Sequence, residues 1–451
     1  MNPSIFNDVI GPVMRGPSSS HCAAALRLGW LARDLLEGDI EHVLIQFDRN
    51  SSLATTHESQ GSDMGLFAGL LGWEPTDERL PEAARTIRAS GVQVEIEIDD
   101  FGFDHPNTYR IGLQNARDQH ALTGISTGGG MIEVVAIDGT RVSLFGDFWE
   151  TLVWMAGPPG EEGDRLAEKI DVDEILLYEC GDGVLLQVKA QRALDDGEIG
   201  RLCAGGKIRH IRRLRPVLPV LSRREMSVPF STCQEMLHYD VGRNLPPWEL
   251  AIQYESQRGN LSGDEVLQRM IQIVQIVRAS LQQGLRGTTY RDRILGPQCG
   301  QFGARLQAGG LLDAGLLNSI IRDVTALMEV KSAMGVIVAA PTAGACAALP
   351  GTCLAAADAL GVGDEEAARA MLAGGLIGVL VAFRTTFAAE VCGCQAECGV
   401  ASGMTAAAFI SLAGAGVGAA VAAASMAFQN SLGMICDPVA NRVEVPCLGK
   451  N

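Results

Sequence analysis

From residue 1 to about 148, runs of strand character alternate with helical stretches. "HVLIQF", "VQVEIEI", "MIEVVAI" and "RVSLFG" are short, apolar and β-branched, whereas "CAAALRLGWLARDLL" and "ERLPEAARTIRAS" repeat apolar residues at helical spacing. That mixture predicts an α+β N-terminal domain over 1–148. A compact stretch from 151 to 217 then reads strand ("TLVWMA"), turn ("GPPG"), helix ("EEGDRLAEKI"), two strands ("EILLYEC", "VLLQVKA"), helix ("DDGEIGRLCAG") and strand ("IRHIRRLRP"). This βαββαβ order predicts a ferredoxin-like module. "VLPVLSRREMSVP", 217–229, reads as a linker, and 231–451 reads as an all-α domain. There "DEVLQRMIQIVQIVRASLQQGL" carries i, i+3, i+4, i+7 periodicity behind the capping candidate Ser262, and helices are expected near 313–331 and 364–383.

Composition narrows the function class. With 47% apolar and 20% charged residues, the 451-residue chain resembles a globular protein with a large core. A net charge of −17 excludes nucleic acid or an anionic membrane surface as the main partner, because both need clustered Lys and Arg. The start, "MNPSIFNDVIGP", lacks a basic region followed by an apolar one, so a cytoplasmic protein is expected. Its twelve cysteines are then thiols rather than a disulfide framework. Cys398 to Ile435 holds no charged residue, and "AFISLAGAGVGAAVAAASMAF" has the length of a membrane span. Its Ala, Gly and Ser content and acidic flanks, Glu397 and Asp437, point instead to a helix buried in the helical domain.

Two clusters carry candidate chemistry. "GPVMRGPSSSHC" places Ser18, Ser19 and Ser20 before His21: hydroxyl and backbone donors beside a proton acceptor active near neutral pH. On sequence alone the serines equally suit a helix cap. Late in the chain "VCGCQAECG" is followed by "CDPVANRVEVPC". The C-x-C-x3-C spacing of Cys392, Cys394 and Cys398 suits iron–sulfur or zinc, and spacing does not choose between them. Cys436 and Cys447 stand eleven apart in what reads as a loop.

Taken in order, "RGPSSSHC", "HPNT", "TGISTGGG", "APTAGA", "GCQAE" and "CDPV…VEVPC" resemble the iron–sulfur-dependent L-serine dehydratases (L-serine ammonia-lyases), over nearly the whole chain. The resemblance is to the single-chain form, and 151–217 is similar to an ACT domain, a regulatory fold that often binds amino acids. It implies a small amino-acid substrate and a [4Fe–4S] cluster held by Cys394, Cys436 and Cys447, with one iron open to substrate. It implies His21 as a catalytic base, Ser18, Ser19 and Ser20 as substrate donors, and Thr342 and Gly344 of "APTAGA" as substrate contacts. "STGGG" is expected to set a tight turn, and Cys392 and Cys398 to be buried thiols near the site.

Several positions depart from the family pattern. Cys22 replaces a threonine, and Gln60 stands where a second histidine is usual, with His57 three residues away. Met328 and Lys331 replace asparagines, and Arg384 and Glu390 enter an otherwise Asn- and Ser-rich stretch. A lost histidine and two gained cations suggest a changed substrate or rearranged acid–base chemistry. Lys331 or Arg384 would recognise a further anionic group, or Lys331 would replace the base. Three readings stay open: a serine lyase, a related lyase acting on another leaving group (cysteine-type thiol elimination) or an anionic substrate, and a cluster-binding sensor without turnover. ACT-like modules pair across two-fold axes, so a homodimer is expected. Family members continue beyond "CLGKN", so a second polypeptide supplying that helical stretch is a further expectation.

Overall fold

The computed structural model describes residues 2–160, 169–181, 183–291, 293–294, 296–435, 437–440 and 442–451. Strand β1 (Val13–Arg15) leads through Ser19–Ala23, a wide helical turn, into helix α1 (Ala24–Leu36). Strands β2 (His42–Asp48), β3 (Gln93–Asp99), β4 (Thr108–Gln114), β5 (Gln119–Gly128), β6 (Met131–Ile137) and β7 (Thr140–Leu144) follow, with helix α2 (Ser62–Leu70) after β2. They form one sheet in the order β3-β2-β4-β5-β6-β7, with β3 parallel to β2 and the other pairs antiparallel. Strict alternation of buried positions along β5 turns one face to the core, as a two-residue period requires. Helix α1 covers that face.

The contact between α1 and α2 is unusually close because glycines line it. A β-carbon at Gly29 would meet Leu66 O at 2.5 Å, one at Gly69 would meet Leu26 O at 2.3 Å, and one at Gly65 would meet Cys22 O at 2.1 Å. Backbone therefore packs on backbone directly behind the Ser-His run. The β5–β6 turn uses Gly128, Gly129 and Gly130, all at positive φ, which side chains rarely tolerate.

Strands β8 (Trp149–Met155), β9 (Glu174–Cys180), β10 (Gly183–Ala190) and β11 (Ile208–Leu214) make a second, antiparallel sheet in the order β11-β8-β10-β9. Helix α3 (Asp196–Leu202) begins at a capping box in which Asp195 and Glu198 bind each other's backbone N–H. Alternate residues face different cores: Val153, Leu186 and Val188 join Ile199 and Leu202, whereas Leu152, Leu185 and Leu214 join the main core. The helix expected at 161–170 lies mostly outside the described residues. The two sheets also meet through polar rings: His120 Nε2 and His210 Nε2 are 3.1 Å apart, and His120 Nδ1 is 2.8 Å from Asp138.

Beyond residue 231 the described regular elements are helices, interrupted by one short strand. Helices α4 (Pro247–Gly259), α5 (Gly263–Arg286) and α6 (Leu316–Ser332) precede strand β12 (Val336–Val338), and helices α7 (Ala348–Leu360), α8 (Asp364–Ala382), α9 (Val400–Leu412), α10 (Val417–Asn430) and α11 (Glu444–Lys450) follow. Ser262 caps α5 through a capping box with Glu265. Helix α8 is buried on nearly every side from Ala367 to Leu380, as expected of a helix apolar all round.

Three sequence expectations need correction. The Ala/Gly run at 408–428 is two helices, because Gly414 at φ +76° ends α9 and Gly416 precedes α10; exposed Phe409 and Met426 show that it is not a fully buried rod. Among the described residues the helical stretch long and apolar enough to cross a membrane is instead Ala343–Leu360, 83% of it buried within the protein. The 217–229 segment is no loose linker: Leu218, Val220 and Ser222 are buried, and Asn7 grips both backbone groups of Val220. Finally, β12 breaks the all-helical pattern and pairs with β1, Val13 opposite Val338 and Arg15 opposite Val336. Three-residue strands are too short to read from periodicity.

The N-terminal segment completes the join between the halves. Ser4 Oγ and Ile5 N donate to the buried Glu255 carboxylate on α4, and Tyr254 donates to Pro3 O.

Candidate active site

The β1–β12 ribbon sets two loops side by side. Past β1 comes Ser18–His21; past β12 comes Ala340–Ala345. Their contact is direct, because Ala343 N donates to Ser19 Oγ at 3.3 Å. Ser18 stands at the cap position of the turn but makes no side-chain cap bond; its hydroxyl lies 2.9 Å from His21 Nδ1 instead. His21 Nε2 is 3.0 Å from Thr56 Oγ1, which already donates to Ser52 O. Thr56 therefore accepts, placing the imidazole proton on Nε2 and leaving Nδ1 to receive the Ser18 hydroxyl. Ser19, Ser20 and His21 are all buried.

The "HPNT" segment supports this arrangement from below. Ser52, which opens the short helix Leu53–Thr56, donates from its backbone to Pro106 O and from its hydroxyl to Asn107. Gln60 is buried nearby, while His57 Nδ1 lies 2.8 Å from Asp63, whose hydrogen bond raises the histidine above its ordinary range.

On the other side of the loop lie sulfur and charge. Thr342 Oγ1, fully buried, donates to Glu397 Oε1 at 2.7 Å. Gly344 leaves room for the same carboxylate, since a β-carbon there would lie 3.2 Å from Glu397 Oε1. The Cys394 thiol reaches toward Glu397 Oε2 at 3.8 Å, and Lys450 Nζ donates to Cys394 Sγ at 3.1 Å. Asn451 ties the set together: its amide donates to Gly344 O and Cys447 O, each at 2.7 Å, and its oxygen accepts from Ala347 N and Ala348 N. Cys447 stands on helix α11 rather than in the loop expected for it.

Lys331 sits at the end of α6 with 0% exposure, and among the described residues its amine has no hydrogen-bond partner. Burial pulls its pKa down, but Cys447, Cys346, Glu397 and Cys398 outweigh burial and hold it above its usual value. Burial also pushes the Cys346 thiol up to about 12, and raises Cys398 and Cys447.

Not every expected residue joins this set. Arg384 is exposed and acts on Glu235 rather than on the sulfur cluster. Cys392 is exposed beside Thr385, not buried, whereas Cys398 is buried and touches Gly344 O. Cys436 lies outside the described residues. Sequence reading gave no role to Glu397, Thr56, Lys450 or Asn451. The signal for Glu397 was present, since it is the last charge before a long uncharged run; the other three carried none.

Known proteins show the same relationship. The model of the serine dehydratase alpha chain matches residues 242–451. The probable L-serine dehydratase beta chain of Bacillus subtilis (strain 168) is 39% identical over 150 residues, which is 33% of this chain and 67% of the relative. The probable alpha chain of the same organism is 32% identical over 222 residues, 49% of this chain and 74% of the relative. The chain belongs to the L-serine dehydratase family. L-serine dehydratase TdcG of Escherichia coli (strain K12) is 39% identical over 128 residues, 28% of each protein. Relatives named as separate alpha and beta chains thus both find their counterpart in one polypeptide here.

Whether these residues suit the cluster implied by the family can be judged from burial and charge. Cys394 and Cys447 are buried, close enough to act on each other electrostatically, and faced by the amines of Lys450 and Lys331. A thiolate-held cluster is anionic, so a sulfur pocket flanked by two lysines fits it. Among the described residues no group of three His, Cys, Asp or Glu is assembled as a metal set.

Proposed function

We propose that this chain is a [4Fe–4S]-dependent lyase that deaminates L-serine, or a close β-hydroxy amino acid, to a 2-oxo acid and ammonia. Family membership makes it a lyase. The observation that carries the finer reading is Lys331: a fully buried amine without a hydrogen-bond partner among the described residues, close to Cys447, Cys346, Cys398 and Glu397. An amine buried in that way is satisfied by an anionic occupant.

Cys394, Cys436 and Cys447 would hold the cluster, which would supply Lewis-acid polarisation of the substrate hydroxyl when bound. The chain's own residues do the rest. Lys331 holds substrate carboxylate by charge. Ser19 and Thr342, one on each loop, present hydroxyls across the Ser19–Ala343 contact. His21 draws a proton through the Ser18 hydroxyl, and Thr56 fixes the ring by accepting from Nε2. Glu397, held by Thr342 beside Cys394, in its acid form donates the proton with which the departing hydroxyl leaves as water, and is reprotonated from solvent.

We also propose that the second sheet with α3 is an ACT-like module. Its antiparallel order, β11-β8-β10-β9, supports the reading because a βαββαβ chain wound this way puts its first and third strands in the middle.

The test is turnover by protein reconstituted anaerobically with iron and sulfide. L-Serine should yield equimolar 2-oxo acid and ammonia, and His21→Gln should lower kcat by about 10²–10⁴ with little change in iron content. Loaded protein that forms no product from L-serine or its β-hydroxy relatives would overturn the proposal. Preference for a substrate with a second carboxylate, lost in Lys331→Ala, would move it to the anionic-substrate reading.

A further inference from the structure

A cavity of about 520 Å³ opens away from the sulfur set, where three parts of the chain meet. One wall is α1, presenting Leu26, Arg27, Trp30 and Asp34 from a single helical face; another is α5, presenting Arg269, Gln272, Ile273 and Ile276 at helical spacing. The remainder comes from Phe6 and Ile10–Val13 leading into β1, from Ala23, from Gly72, Glu74 and Pro75 after α2, and from Arg215–Pro219 after the second sheet. None of Cys394, Cys447, Lys331 or His21 lines it.

Its size is that of a small-molecule site, and its polar groups are few and specific. Asp34 is occupied by Arg215, which binds it through Nε at 3.1 Å, Nη2 at 3.2 Å and its backbone N–H at 3.0 Å. Among the described residues the other two guanidiniums hydrogen-bond to neutral acceptors and have carboxylates acting on them only through space, Asp8 on Arg27 and Glu265 on Arg269. Arg27, 4% exposed, donates from Nη1 to Gly130 O and lies 3.8 Å from Met131 Sδ. Arg269 Nη1 donates to Pro219 O at 2.8 Å. Three arginines against Asp34 and Glu74 leave the lining with one excess positive charge, in a chain whose net charge is −17. The apolar surface is a Trp30 indole, fixed by its N–H on Trp73 O, and the isoleucines of α5.

From this we infer that the cavity is a second binding site, taking a small monocarboxylate with a flat or branched apolar body. The carboxylate balances the excess charge at Arg27 and Arg269, and the body packs between Trp30 and Ile273. The site is an effector site, since Pro12, Val13 and Ala23 in its wall are continuous with the β1–β12 ribbon and with the turn that carries His21.

Isothermal titration calorimetry of the full chain tests this with 3-phenylpropanoate and, as the cationic counterpart of the same shape, 3-phenylpropylamine. The carboxylate should bind saturably and the amine should not. Arg269→Gln should weaken the carboxylate at least tenfold, and Ile273→Trp, which fills the cavity, should abolish binding. Arg269 is half-exposed and its replacement leaves the core untouched, so the test survives if the tryptophan variant fails to fold. No saturable heat at millimolar carboxylate, equal binding of the amine, or full affinity in Arg269→Gln would overturn the inference. The readout is binding rather than turnover, so it is independent of the lyase proposal.

Discussion

Gly65→Ala probes the α1–α2 contact that backs the Ser-His run. Its β-carbon would lie 2.1 Å from Cys22 O, 2.9 Å from Cys22 C and 3.1 Å from Cys22 Cα, whereas ordinary contact begins at 3.4 Å. The two backbones must therefore part by roughly 1.3 Å, and neither atom is the end of a flexible side chain that can swing aside. Overpacking of this kind costs about 1–3 kcal/mol. Cys22 follows His21 directly, so the carbonyl that is pushed belongs to the same turn as the imidazole. A displacement of about 1 Å at a reacting group costs on the order of 10²-fold in rate. Thermal melting and kcat/KM for L-serine should both fall, the second by ten- to a hundredfold. Gly303→Ala is the control: nothing lies within 4 Å of its β-carbon on the helix Cys299–Gln307, and it gains helix propensity of about 1 kcal/mol. If Gly65→Ala matches Gly303→Ala in both melting and kinetics, the backbone contact does not position His21.

Further outcomes follow from single residues. Lys331→Met should lower kcat/KM for L-serine at least tenfold with little change in iron content; unchanged kinetics would refute its anion-holding role. His210 is held below the ordinary histidine range by burial, then by Arg212 and His120, with Asp118 and Asp138 opposing. A folded pKa below the unfolded one means the neutral form is stabilised, so that contribution is complete above about pH 6.5 and is lost as pH falls toward the folded value. Melting temperature should therefore drop from pH 7.5 to 5.5 more steeply than in His210→Gln, and parallel profiles would deny the histidine pair that role. Ser262→Ala deletes the cap of α5 and should cost about 1 kcal/mol by thermal melting, with catalysis unaffected.

Long periodic elements were legible in the sequence because one buried stripe determines them: α5 and its Ser262 cap, four of the six strands of the first sheet, and the four strands of the second stretch; β4 and β5 were not read as strands. Motif order led to Ser19, Thr342, Gly344, Cys394 and Cys447, which the structure brings to one place. What stayed hidden depends on distance across the chain. A three-residue strand such as β12 has no period, and its pairing with β1 joins positions more than three hundred residues apart. Arg384 looked like a site cation because only its neighbours in sequence were visible; its exposed position at the end of α8 comes from helix packing. The roles of Glu397 and Asn451 lie in their partners, Thr342 and Gly344, and no local pattern announces those.

The β1–β12 ribbon has a consequence for how such a protein persists when scarce. Relatives are named as separate alpha and beta chains, and each loop of the candidate site emerges from one strand of this ribbon. In two polypeptides that encounter is second order and weakens as concentration falls. Within one polypeptide the strands share a tether, and their effective local concentration no longer depends on how many copies a cell holds. Cutting the 217–229 segment should thus make activity sensitive to dilution where the intact chain is not.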